Sequence, residues 1–179
     1  MNIIRIRRMK MWTEEKLDNL LTEPSDALIE DIKKIEGDIM VLGAGGKMGP
    51  SLCLLAKKAI AKAGISKRVI AVSRFSDPIA TKLLTDNGVE IIKADLQNRE
   101  QFDALPLIEN VIFMAGKKFG TDGSEWATWG MNAALPAFVA EKFRDSKIVV
   151  FSSGNTYPLV PVNSGGCTEA DRQDRKSVV

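Results

Sequence analysis

The sequence predicts an α/β fold: a doubly wound parallel sheet of strand order 3-2-1-4-5, preceded by a helical arm. Three observations predict it. Five short apolar runs recur along the chain, DIMVLG (38–43), RVIAVS (68–73), VEIIKAD (89–95), NVIFMAG (110–116) and KIVVFSS (147–153). Segments with apolar residues at helical spacing stand between them. The runs are continuous rather than alternating, as in strands covered on both faces, and right-handed crossovers between such strands favour the order given.

The elements follow in turn. TEEKLDNLLTEPSDALIEDIKKIEG (13–37) carries leucine and isoleucine at helical intervals. Thr13, with Glu14 and Glu15 behind it, is a helix start; Pro24 breaks the helix and Ser25 caps a second that ends at Gly37. DIMVLG is the first buried strand. PSLCLLAKKAIAKAG (50–64) sets Leu52, Leu55, Ala56, Ala59, Ile60 and Ala63 on one face and stops at Gly64. RVIAVS is the second strand. DPIATKLLTDNG has Asp77 as cap, Pro78 at the first helical position and Gly88 beyond the end. VEIIKAD is the third strand, NREQFDAL a short helix or turn, and NVIFMAG the fourth strand. SEWATWGMNAALPAFVAEKF is a long helix with a bend expected at Pro136. KIVVFSS is the fifth strand. Prolines, paired glycines and charges after Tyr157 read as loop. The division expected is an arm over 1–36, a nucleotide-binding domain over 37–157 and a tail over 158–179.

Composition narrows the function classes. The chain has 179 residues, 45% hydrophobic, enough for one domain with a core. Its net charge is +2 and, apart from RIRRMK near the start, its basic residues are spread out, so nucleic acid is not expected as a partner. No apolar stretch approaches a membrane span. Cys53 and Cys167 lack metal-ligand spacing and read as reduced thiols of a cytoplasmic protein; no metal is expected. There is no histidine, so the serines of FSSGNTYP (151–158) cannot belong to a Ser-His-Asp relay.

Four stretches carry the candidate chemistry. GAGGKMG lies between the first strand and the first helix of the sheet, and its residues Gly43, Gly45, Gly46, Lys47, Met48 and Gly49 form a candidate phosphate cradle. Gly43 permits a tight turn, Gly46 lets backbone approach a pyrophosphate, and Gly49 lets helix and strand pack closely. The helix N-terminus adds N–H groups and partial positive charge. The context is Rossmann-like. In such domains an acid after the second strand holds the ribose hydroxyls of NAD; here Ser73 and Arg74 stand there, and an arginine suits a 2′-phosphate, which favours NADP, with NAD as the alternative. Asp95, followed by Leu96, ends the third strand within reach of an adenine edge; loop capping is the alternative role for Asp95. Met114, Ala115 and Gly116 end the fourth strand, where a cofactor lies close to backbone. Asn132, a poor helix former, sits inside the long helix, where its amide could hold backbone or water near the cofactor.

GAGGKMG, Asp95-Leu96, MAG, Asn132 and FSSGNTYP, in that order, resemble the extended short-chain dehydrogenases/reductases, the NAD(P)-dependent epimerase/dehydratase family, from residue 38 to about residue 166. The resemblance implies a dinucleotide cofactor and a carbohydrate-like or nucleotide-sugar substrate. It implies that Ser153, four residues before Tyr157, hydrogen-bonds the reacting substrate oxygen. Tyr157 inherits only a turn position, with Pro158 where glycine is usual. Family members use a Tyr-x-x-x-Lys pair as acid/base on the next helix. Tyr157 is the only tyrosine here, and four residues on stands Pro161. The expectation is therefore a sheet incomplete at its C-terminal side, in a fragment or truncated product of such an enzyme without turnover of its own. Two alternatives remain: a non-catalytic NADP(H)-binding sensor or scaffold, and a methyltransferase, against which Arg74 speaks. The apolar fifth strand, left as an edge, is expected to drive self-association.

Overall fold

The computed structural model describes residues 13–117, 122–153 and 156–172. The RIRRMK segment and residues 154 and 155 of FSSGNTYP lie outside them. The chain divides into two compact units, Met1–Val149 and Val150–Val179.

The first unit opens with α1 (Glu14–Leu21) and α2 (Asp26–Lys34). Thr13 and Ser25 start them as the sequence predicts: each side-chain oxygen accepts a backbone N–H three residues on, from Lys16 at 3.3 Å and Leu28 at 3.2 Å. A parallel sheet follows, β1 (Ile39–Leu42), β2 (Val69–Ser73), β3 (Glu90–Lys93), β4 (Asn110–Phe113) and β5 (Lys147–Val150), in the order β3-β2-β1-β4-β5. This is the doubly wound order predicted. β1 is the centre, with Leu42 level with Val72 of β2 and Phe113 of β4. The helices between strands are α3 (Gly49–Lys62), α4 (Pro78–Asp86), α5 (Arg99–Asp103), α6 (Glu125–Trp129) and α7 (Leu135–Lys142).

The continuous apolar strands have their reason in two cores, one on each face. Met40, Leu42, Ile70, Val72 and Phe113 meet Phe102 of α5 and Leu135 and Val139 of α7. Ile39, Val41, Val69 and Ala71 meet Cys53, Ala59 and Ile60 of α3 and Leu84 of α4. Each large side chain so buried contributes about 1.5–3 kcal/mol of transfer free energy. The second core also takes in Ile32, with Leu28 and Ile35 packed against it, so the two N-terminal helices sit against α3. Lys58 adds a hydrogen bond to Thr22 Oγ1 (2.6 Å), and Lys62 pairs with Glu23. Exposed pairs of that kind add little, and the burial of Ile32 dominates.

The long helix departs from α geometry in a π turn over Gly130–Ala134, just ahead of Pro136, which stands in the first turn of α7. Pro136 offers no N–H to the carbonyl of Asn132 and its ring crowds that carbonyl. The strain is taken up upstream, where Leu135 N–H donates to Gly130 O across five residues.

In the second unit the Ser153 carbonyl accepts from Thr156 N–H (3.3 Å) and Oγ1 (3.0 Å). A 3-10 turn spans Val162–Ser164, Cys167 Sγ lies 3.5 Å from Pro158 O, and Asp171 Oδ2 accepts from Thr168 N at 2.6 Å. Among the described residues no helix is long and apolar enough to cross a membrane, and no cluster of His, Cys, Asp and Glu could hold a metal ion.

Candidate functional site

The sheet reverses direction of growth between β1 and β4, and the loops leaving the carboxyl ends of the strands meet there. The glycine-rich loop is tied to β2 at its start: the N–H groups of Gly43 and Ala44 both donate to Val72 O, at 2.9 and 3.1 Å. It then winds through two tight turns, Gly46 N to Gly43 O and Gly49 N to Gly46 O, both 3.1 Å, into the N-terminus of α3. No side chain caps that helix start, and Lys47 and Met48 are exposed on the approach to it.

The glycines have separate reasons. Gly43 adopts φ +92°, and a Cβ on it would stand 2.7 Å from Ala115 N at the end of β4. A Cβ on Gly49 would lie 2.1 Å from Ala44 O, so only glycine lets α3 begin this close to the loop. Gly45 faces Ser73, whose Oγ would be 2.5 Å from an added Cβ. Gly46 differs. Its φ lies outside the left-handed region, and an added Cβ would meet only Gly43 O, at 3.4 Å. Neither the conformation of the chain nor its packing requires a glycine at 46.

β2 delivers half-buried Ser73, then exposed Arg74, then Phe75, which is buried and adopts φ +45°. A buried aromatic residue in left-handed backbone is strained, by about 1–3 kcal/mol. It pins the turn that carries Arg74 beneath the glycine loop. The sequence reading missed Phe75, and its only signal was an aromatic residue directly after the arginine.

Asp95 caps its own turn, Oδ1 accepting from Gln97 N at 3.0 Å, while Asp95 N donates to Gln101 Oε1 at 2.7 Å. Leu96 is buried in the first core. Met114 N donates to Leu42 O at 3.0 Å and extends the ladder by one residue, which brings Ala115 against Gly43. Gly116 follows, exposed; a Cβ there would make an ordinary 3.6 Å contact with Asn132 Oδ1. Asn132 uses both ends of its amide on one peptide unit: Oδ1 accepts from Lys117 N (2.8 Å) and Nδ2 donates to Lys117 O (2.7 Å). Lys117 Nζ in turn donates to Ser124 Oγ at 3.1 Å. Lys117 was not among the sequence candidates. Cys53, in the core beneath the loop, is a thiol whose burial pushes its pKa up to about 12, so it stays protonated and inert. Ser153 belongs to the second unit, where it is exposed.

No protein-family model and no curated protein matches the chain. Solved structures do. ADP-L-glycero-D-manno-heptose-6-epimerase of Helicobacter pylori superposes with a TM-score of 0.61 at 16% identity, over 85% of this chain and 48% of that one. UDP-glucuronic acid 4-epimerase of Bacillus cereus, a variant in complex with NAD and UDP-4-deoxy-4-fluoro-glucuronic acid, matches with a TM-score of 0.56 at 20% identity, over 76% of this chain and 46% of that one. The Bordetella bronchiseptica enzyme WbmF, in complex with NAD+ and UDP, gives 0.54 at 17% identity, over 74% and 40%. The chain spans less than half the length of each of the three. The shared feature is the fold: this chain has the Rossmann-like, epimerase/dehydratase-like architecture that its ordered motifs resemble.

Proposed function

We propose that the chain is the cofactor-binding portion of an NAD(P)-dependent epimerase, dehydratase or reductase acting on a carbohydrate-like or nucleotide-sugar substrate. The observation that carries the reading is Gly46, a glycine that the protein itself does not need, at the place where a pyrophosphate would approach the backbone. Neighbouring structures of the same fold in complex with NAD support it. The uncapped start of α3 and the small residues Ala115 and Gly116 fit a dinucleotide laid across the crevice.

In this reading the loop Gly43–Gly49 holds the pyrophosphate through backbone N–H groups, with Lys47 and Met48 on its exposed side. Ser73 and Arg74 hold the adenosine ribose and its 2′-phosphate. Asp95 and Leu96 border the adenine. Met114, Ala115 and Gly116 carry the backbone against which the other half lies, and Asn132 keeps that backbone in position through Lys117. A nicotinamide, when bound, supplies hydride transfer. Ser153 donates a hydrogen bond to the substrate oxygen. These 179 residues hold no Tyr-x-x-x-Lys pair, so the polypeptide alone is expected to show no epimerase or dehydrogenase turnover; loss of general acid/base action costs roughly 10²–10⁴-fold. Pro161, four residues after the only tyrosine, favours a second reading, a non-catalytic NADP(H)-binding sensor or scaffold. Free Cys53 and Cys167 support a cytoplasmic setting.

Arg74 motivates the choice of NADP over NAD. Arg74→Ala should lose about 1–3 kcal/mol of preference for NADPH over NADH, the scale of a charge-assisted hydrogen bond. Equal affinities of the parent chain for the two cofactors would sink the NADP assignment and leave NAD.

A further inference from the structure

The turn after β3 and the residues just after β4 are joined by a route that bypasses the sheet. Gln97 stands on the turn after β3, held there by its N–H to Asp95 Oδ1 at 3.0 Å. Its side-chain Nε2 donates to Ala127 O at 3.0 Å. That carbonyl lies in α6, just before the π turn, and also accepts from the backbone N–H of Gly130, so Gln97 Nε2 meets the helix where its hydrogen bonding changes from α to π. Gly130, the first residue of the π turn, faces the same amide: a Cβ there would lie 2.8 Å from Gln97 Nε2. Two residues on, within the π turn, Asn132 clamps the Lys117 peptide after β4. Lys117 Nζ reaches back to Ser124, ahead of α6.

We infer that Gln97 is a positioning residue: its amide holds the π turn in the register that aims Asn132 at Lys117, and so couples the loop after β3 to the loop after β4. Gly130 is the space that admits it. The inference deepens the dinucleotide reading and rests on it for its purpose. If Ser73 and Arg74 take the adenosine end, the backbone from Met114 to Lys117 borders the nicotinamide half, and Gln97 makes the placing of Lys117 depend on the loop beside the adenine.

The test is amide hydrogen exchange without cofactor, read at Lys117, whose N–H donates to Asn132. Gln97→Ala removes the donor. Gly130→Ala keeps every hydrogen-bonding group and displaces the Gln97 amide; on helix propensity alone it should stabilise the helix. Both variants are expected to speed exchange at Lys117 about tenfold, with β1 amides such as Val41 unchanged. The double variant should be no faster than either single one, as for two residues acting through one contact. Unchanged exchange at Lys117, or additive effects, would overturn the coupling. An equal rise at Val41 would make Gln97 a plain contributor to stability and overturn it as well. A second arm titrates NADPH and adenosine 2′,5′-bisphosphate: Gln97→Ala should weaken the first several-fold and leave the second unchanged. Equal weakening of both would contradict the assigned direction of coupling. A parent chain that binds neither would sink the dinucleotide reading, while the exchange result would still decide the coupling.

Discussion

At the scale of single residues, the glycine loop separates what a fold requires from what a ligand requires. Gly43→Ala forces a side chain into left-handed backbone and against Ala115, and Gly49→Ala drives a methyl into the Ala44 carbonyl. Each should lower stability by more than about 2 kcal/mol, read as a drop in the denaturant midpoint. Gly46→Ala has no such conflict and should change stability by less than about 0.5 kcal/mol, yet it places a methyl where the pyrophosphate would lie. Its effect belongs in the titration. The sequence alone ranked the three glycines by motif position; only the distances show which of them the chain itself needs. Phe75 and Gln97 were not legible in the sequence. One acts through a backbone angle, the other through a contact 30 residues away, and neither leaves a periodic trace.

At the scale of elements, strands and helices were legible where periodicity and punctuation agree: Asp77 before Pro78, Gly88 after α4, unbroken apolar runs for β1, β2 and β4. The π turn was not, because its cause, Pro136, is displaced from its effect. The amino ends of β1 and β2 are tied by Asp38, whose Oδ1 accepts from Arg68 N at 2.8 Å and whose Oδ2 accepts from Arg68 Nε at 2.7 Å. The backbone N–H of Arg68, foremost, and then its guanidinium hold the Asp38 carboxyl below the usual carboxylate range, against a desolvation that works the other way. A depressed folded pKa gives stability that is present above the unfolded value and lost as pH falls through the folded one. Asp38→Asn should therefore be less stable at neutral pH and lose less stability below about pH 4 than the parent does. Parallel acid limbs in urea melts of the two would refute this. β5 ends the sheet, with Val149 59% and Val150 57% exposed. We propose that this apolar edge pairs with a second copy. Light scattering at micromolar concentration should find association in the parent and less of it in Val149→Lys; a strictly monomeric parent would contradict it.

At the scale of the whole molecule, the doubly wound order could be read from the sequence because the handedness of crossovers leaves few arrangements for five parallel strands. The crevice could be read in outline for the same reason, since topology decides where the strand ends meet. Its internal wiring, the Asn132–Lys117 clamp and the Gln97–Ala127 bond, depends on side-chain reach between elements that pattern does not encode. The central claim is that this crevice binds a nicotinamide dinucleotide, and calorimetric titration of NADPH into the parent and into Gly46→Ala tests it most directly. Saturable binding at one site per chain in the parent, lost or at least tenfold weaker in a Gly46→Ala chain of unchanged stability, is the predicted result. No binding by the parent, or equal binding by both, would contradict it.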